Sequence, residues 1–127
     1  MIKLFFALGS YLILNGCSIQ RLAIGQLAPA LSSASHKLQE EKNWDLFNAG
    51  TPGSLQLTEV LLETAPDNED LLAMLTKGYT AYGFVVNDTE YLGEKLADAD
   101  NPVHRRRAVQ NLGKALAYGF RYLSETG

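Results

Sequence analysis

Apolar residues recur at helical intervals along almost the whole chain, and no segment alternates with a period of two. The pattern predicts an all-α protein. The first stripe runs through Ile19, Leu22, Ala23, Leu27, Ala30, Leu31, Ala34 and Leu38, with Pro29 interrupting it and Ser32, Ser33 and Ser35 weakening it. One helix is expected there, followed by the solvated stretch Glu40-Glu41-Lys42-Asn43. Asn43 is placed to cap a short helical turn through Phe47. Gly50-Thr51-Pro52-Gly53 reads as a breaker, with Thr51 and Pro52 as the cap and first residue of a new helix. Leu55, Leu57, Val60, Leu61 and Leu62 give that helix an apolar face, and Pro66 ends it.

The cleanest stripe follows at Leu71, Leu72, Leu75, Gly78, Tyr79, Tyr82 and Val86, opened by Asp67 or Asn68 as a cap. Asn87-Asp88-Thr89 is expected to break it. A short helix then runs from Glu90 to Ala97, and Asp98 to Asn101 form a polar turn. Asn101-Pro102 opens the last helix as cap and first position, and Val109, Leu112, Leu116, Phe120 and Leu123 read as its buried face. That helix carries a second row, Ala108, Ala115 and Gly119, small enough to admit another helix at close range. Gly78 serves the same purpose on its own helix.

The start of the chain carries a different message. Lys3, an apolar stretch from Leu4 to Leu14 and small Gly16 stand in the order of a secretory signal, and they lead to Cys17, the only cysteine. Leu14-Asn15-Gly16-Cys17-Ser18 resembles a bacterial lipoprotein signal, in which the thiol receives a diacylglycerol and the leader is cut away before it. Asn15 departs from that pattern, which favours a small or β-branched residue there. A spanning helix needs about 20 apolar residues, more than this leader supplies. Ser18 stands where some bacteria read an inner-membrane retention aspartate, so the expected address is the outer membrane, facing the periplasm. Residues 1–16 are then a signal peptide and residues 17–127 one helical-repeat domain of ordinary size, joined to the membrane by its lipid.

Charge and chemistry narrow the function. With 11 Lys and Arg against 14 Asp and Glu, the formal net charge of −3 offers no footprint for nucleic acid. His36 and His104 lie in different segments without metal-ligand spacing and read as surface residues. Asp67, Glu69 and Asp70 fit the first turn of a helix better than a calcium site. Gly50 to Gly53 lacks the lysine of a phosphate loop. No catalytic residue, metal or cofactor is assigned, apart from the diacylglycerol expected at Cys17. Arg105-Arg106-Arg107 is a dense basic run, but neighbours on a helix project about 100° apart and cannot share a face. Trp44 and Phe47 read as a staple at a helix entry. Tyr79 and Tyr82, three apart on one face, form with Phe84 the aromatic group best suited to a partner or ligand.

The spacing Leu71-Leu72, Leu75, Gly78-Tyr79, Tyr82-Gly83 is that of the first helix of a tetratricopeptide repeat, with an ordinary helical bundle as the plainer alternative. Gly53-Ser54-Leu55-Gln56-Leu57, Leu61-Leu62-Glu63-Thr64-Ala65-Pro66-Asp67-Asn68, Gly78-Tyr79-Thr80-Ala81-Tyr82-Gly83-Phe84-Val85, Arg107-Ala108 and Ala115-Leu116-Ala117-Tyr118-Gly119 extend the likeness. Together they resemble the T component (TatT) of tripartite ATP-independent periplasmic (TRAP) transporters. The resemblance implies a lipoprotein of antiparallel tetratricopeptide-like hairpins with a non-enzymatic accessory role. It further implies a periplasmic solute-binding protein as partner, a homo-oligomer expected to be a trimer, and a cleft for a hydrophobic ligand. Arg107 stands at the family's Arg-Ala pattern and joins Tyr79, Tyr82 and Phe84 as a candidate contact. Family members continue through further helices, so the 17–127 domain is expected to match only their N-terminal part. A tetratricopeptide-like scaffold for envelope assembly is the alternative, and a small envelope enzyme a weaker third.

Overall fold

The computed structural model describes residues 16–127, so the expected signal peptide lies outside the described residues apart from Gly16. The elements in order are α1 (Gly16–Gln39), α2 (Trp44–Thr64), α3 (Glu69–Ala81), a π-helical stretch (Tyr82–Asp88), α4 (Thr89–Leu96) and α5 (Val103–Thr126). Among the described residues there is no strand, and the class is all-α as the periodicity predicts. Leu71, Leu72 and Leu75 of α3 are fully buried at the centre, with Ile24 and Ala28 of α1, Leu55 and Leu62 of α2 and Ala115 of α5 around them. Burying each such leucine stabilises the fold by about 1.5–3 kcal/mol.

Several expectations are corrected. The first concerns Gly50 to Gly53, which does not break the chain: α2 runs through it from the Asn43 cap, whose Oδ1 accepts a hydrogen bond from Leu46 N at 3.2 Å. The reason is a buried face formed by Thr51, Leu55, Thr58 and Leu62, spaced four, three and four apart across Pro52. Thr51 Oγ1 donates to Phe47 O at 2.7 Å and Thr58 Oγ1 to Ser54 O at 2.8 Å, so both hydroxyls are satisfied within the helix. Each threonine then packs as a β-branched core residue. Tertiary burial along this face outweighs the hydrogen bond lost at Pro52. Pro29 is likewise carried inside α1, beside buried Ala28.

Asn87-Asp88-Thr89 is the second correction. Asn68 caps α3 as expected, accepting from Leu71 N at 3.0 Å, but beyond Ala81 the helix widens to π geometry and passes directly into α4. Asn87 is only 2% exposed, and its Oδ1 accepts from Asn111 Nδ2 of α5 at 2.6 Å. A polar residue that looked like a breaker is thus a buried, paired group. The wider turns place Gly83, Val86 and Asn87 on the core side and leave Phe84 and Val85 exposed. The turn after α4 passes through Asp98 in the left-handed region, with φ 53°, a conformation that Asp tolerates better than most residues. At the start of α5, Pro102 takes the cap position and Val103 the first helical one, a residue later than expected. Glu94 of α4 does the capping, its carboxylate accepting from Val103 N at 3.0 Å and His104 N at 3.0 Å.

The third correction falls on α5, whose expected buried face lies largely outside. Val109, Leu116, Phe120 and Leu123 are 63–69% exposed, and Leu112 is half-buried. Ala108 and Ala115 are buried instead, so the small-residue row is the packing surface. The helices α3 and α5 make the most extensive pairing in the molecule. Their spacing explains the choice: a Cβ built on Gly119 would stand in ordinary contact with Thr76 Cγ2 at 3.4 Å, leaving no room for a longer side chain. Leucine side chains on that line would force the helices apart, so they flank the contact.

Two other glycines stand at close contacts between neighbouring elements. A Cβ on Gly78 would come within 2.5 Å of Leu55 Cδ2, but that methyl ends a flexible side chain bordering a cavity of about 70 Å³ and has room to swing. A Cβ on Gly83 would meet Leu112 Cγ at 3.1 Å and Asn111 Cβ at 3.3 Å, atoms close to the α5 backbone that yield only if the helix moves. Gly83→Ala is therefore expected to cost about 1–3 kcal/mol in urea unfolding, and Gly78→Ala less, despite its shorter contact.

Candidate functional site

The polar groups that the fold brings together are Glu59 of α2, Tyr79 of α3, and Lys114 and Tyr118 of α5. Lys114 Nζ donates to Glu59 Oε1 at 2.8 Å and to Tyr79 Oη at 3.0 Å, and Tyr118 Oη donates to the same Glu59 oxygen at 2.8 Å. The Tyr79 and Tyr118 rings stack with centroids 6.0 Å apart, and the Lys114 ammonium lies 4.7 Å from the Tyr79 centroid. Three helices are braced through one carboxylate. Partial burial works to raise the Glu59 carboxyl, but the hydrogen bonds from Lys114 and Tyr118 prevail and hold it below its usual range. The Glu59 hydrogen bond, more than any other cause, keeps Lys114 protonated far into the alkaline range. Burial, and then the hydrogen bond to Glu59, pushes Tyr118 up to about 12. At neutral pH the cluster therefore holds an ammonium, a carboxylate and neutral phenols. It is built to hold helices together, with neither a free amine nor a phenolate for attack.

Tyr79 is buried in this brace, so its ring packs the core. Tyr82, half-buried, turns to α2 and donates from Oη to Asn48 Oδ1 at 3.3 Å. Phe84 lies on the surface at 63% exposure, and Arg107 is exposed on α5. The structure does not assemble these four candidates into one site. Trp44 and Phe47 do pair, with ring centroids 6.3 Å apart. Of the two histidines, His36 is exposed as expected, while His104 is half-buried with its Nδ1 enclosed and without a hydrogen-bond partner, a correction to its surface reading. Cys17 falls in the first turn of α1.

The larger feature is an apolar groove of about 620 Å³ between α3 and α5. Thr76 and Thr80 form one wall, and Leu112, Leu116, Phe120 and Leu123 the other. The cavity beside Gly78, at about 70 Å³, is too small for an organic solute, whereas the groove has the volume of a ligand or helix site. Sequence reasoning named its leucines but placed them inside. It named neither Glu59 nor Lys114, whose partners lie 35 to 59 residues away in the chain. The four-residue spacing of Lys114 and Tyr118 was the one visible signal.

A family model described as TRAP transporter T-component matches residues 40–127. The chain belongs to that family. No curated protein and no solved structure matched it. Membership makes this T-component an accessory part of TRAP transport, a system of the bacterial envelope. No helix among the described residues is long and apolar enough to cross a membrane, and none of their His, Cys, Asp and Glu side chains gather in threes to hold a metal ion.

The brace gives the T-component a defined pH response. A carboxyl held below its unfolded value contributes stability that is complete above the unfolded value and lost as pH falls through the folded one. Tyr118, held above its unfolded value, contributes stability below that value which is lost as pH rises toward 12. Thermal unfolding should therefore show a plateau near neutrality and a fall on the acid side below the usual carboxylate range. Glu59→Gln is expected to lower the plateau by about 1–2 kcal/mol and to flatten the acid fall. An acid limb that keeps its wild-type slope in Glu59→Gln would show that other carboxylates govern it.

Proposed function

We propose that the chain is a lipid-anchored periplasmic accessory protein that binds the solute-binding protein of a TRAP-type system and does no covalent chemistry. Cys17, carrying diacylglycerol, holds it to the outer membrane, facing the periplasm. The tetratricopeptide-like stacking of helical hairpins and the assembly into a homo-oligomer, a trimer on the family resemblance, belong to the same reading.

The observation that carries the proposal is the groove between α3 and α5. Leu116, Phe120 and Leu123 stand exposed in a row, with half-buried Leu112 beside them, on a helix whose small residues hold it firmly to the core. Such a surface offers binding area at little cost in reordering, because its backbone is already fixed by packing. Its lining is apolar enough for the buried centre of a protein interface and equally for a hydrophobic solute handed between partners. Phe84 and Arg107 remain candidate peripheral contacts, while Tyr79 and Tyr82 act by shaping the helices.

The test is a titration of the purified lipidated protein with a TRAP solute-binding protein from the same bacterium, followed by calorimetry. Leu116→Asp or Phe120→Asp should weaken binding at least about tenfold, the loss typical of a central apolar contact. Gln56→Asp, exposed on α2, should leave it unchanged. Binding that ignores both groove variants would move the partner to another face. No binding at all, together with recovery of outer-membrane assembly proteins from the envelope, would replace the transport reading with the scaffold.

A further inference from the structure

The groove is not the sole apolar surface without a partner in the fold. Helix α1 buries Ile24 and Ala28 against the core, and its opposite side exposes Ile19 (65%), Leu22 (66%) and Leu27 (49%), with exposed Ala23 and Ala30 between them. At 100° per residue these five fall within one sector of the helix. Between Ile19 and Ala30 the one polar side chain in that sector is Gln26, so the side facing away from the protein carries an apolar row of its own.

Two further observations say what that sector meets. Helix α1 begins at Gly16, so Cys17 lies in its first turn and no flexible tether separates the cysteine from the folded domain. At 1.5 Å rise per residue, Ile19, Leu22 and Leu27 lie only about 3, 8 and 15 Å along the axis from Cys17. The charge pattern agrees. Residues Gly16–Gln39 contain Arg21, His36 and Lys37 and no acidic side chain, in a chain with 14 Asp and Glu. Nothing on this helix opposes an anionic surface, whereas the rest of the molecule is acidic.

We propose that the outer sector of α1 lies in the headgroup layer of the bilayer to which Cys17 is attached, seating the domain flush on the lipid. The occupant of this face is a phospholipid surface. Ile19 and Leu22 enter the boundary between headgroups and acyl chains, and Arg21, which lies 3.9 Å from Asp67, stays on the protein side of the helix. The lipid anchor supplies attachment, and the apolar row supplies orientation: α1 lies along the membrane, fixing which faces of the domain look into the periplasm. The inference rests on the anchored reading of Cys17, and its test separates the two.

Lipidated full-length protein carrying Trp44→Phe and Leu22→Trp is attached to vesicles of phosphatidylethanolamine and phosphatidylglycerol, with and without acyl-brominated lipid. Mass spectrometry of the N-terminal peptide reports lipidation independently. Leu22 is exposed, so the added indole disturbs no packing. The expected result is a blue-shifted emission and loss of about half or more of the fluorescence to bromine, as for a side chain buried in the interface. A Val109→Trp reporter on α5, in the same Trp44→Phe background, is expected to lose little. Leu22→Trp emission that stays unshifted and unquenched on lipidated, vesicle-bound protein overturns the proposal. A blue shift that follows protein concentration without bromine quenching assigns the row to a second copy and also overturns it. If the peptide proves unlipidated, the anchored reading fails. Coupling Cys17 of the mature chain to a maleimide phospholipid then puts the α1 proposal to the same quenching test.

Discussion

The close approach of α3 and α5 is the constraint on which this structure depends. Leu71, Leu72 and Leu75 fill the core from one side, and α5 covers them with Ala115, on a row of small residues, Ala108, Ala115 and Gly119, that keeps its contact line thin. The π-helical stretch belongs to the same fit. Its wider turns present Gly83 to Leu112 and bring Asn87 to Asn111, so the polar break suggested by the sequence becomes a buried hydrogen bond. The cost of a thin seam is that large side chains must go elsewhere. Leu116, Phe120 and Leu123 are displaced to the flank, where with Leu112 they line the groove. Packing inside the molecule and apolar surface outside it therefore have one origin.

Rigidity follows from how the seam is fastened. Glu59 accepts from both Lys114 and Tyr118 and fixes α2 to α5, while Lys114 also reaches Tyr79 of α3. Arg121 Nη2 donates to Pro66 O at 2.8 Å and fastens the end of α5 to the turn after α2. Partly exposed ion pairs contribute little singly, but here the lysine, the carboxylate and two phenols share their hydrogen bonds and hold three helices at once. A groove wall held in this way keeps its shape without a partner.

Much of the fold was legible in the sequence because helical periodicity is a direct consequence of burial on one side. The stripe from Leu71 to Tyr82 read correctly for that reason. The failures share a cause as well. Thr51 looked like a helix cap, yet it and Thr58 each satisfy the hydroxyl on a carbonyl of their own helix and pack as though apolar. Asn87 looked like a breaker because its partner lies 24 residues away. On α5 two rows competed for the core, and hydrophobicity favoured the leucines where geometry favours the alanines. Periodicity reports which faces are apolar; the distance between helices decides which of them is inside. Beyond the spacing of Lys114 and Tyr118 the brace was hidden because it joins segments distant in sequence, and the groove was visible only as residues assigned to the wrong side.

The most direct test of the central claim, that the displaced row on α5 is the docking surface of a transport accessory, is photo-crosslinking in living cells. A photoreactive residue in place of Leu116 is expected to trap a TRAP solute-binding protein, while the same residue in place of exposed Gln56 traps none. Crosslinks from Leu116 confined to envelope-assembly proteins, or capture of the solute-binding protein from Gln56 alone, would contradict the account.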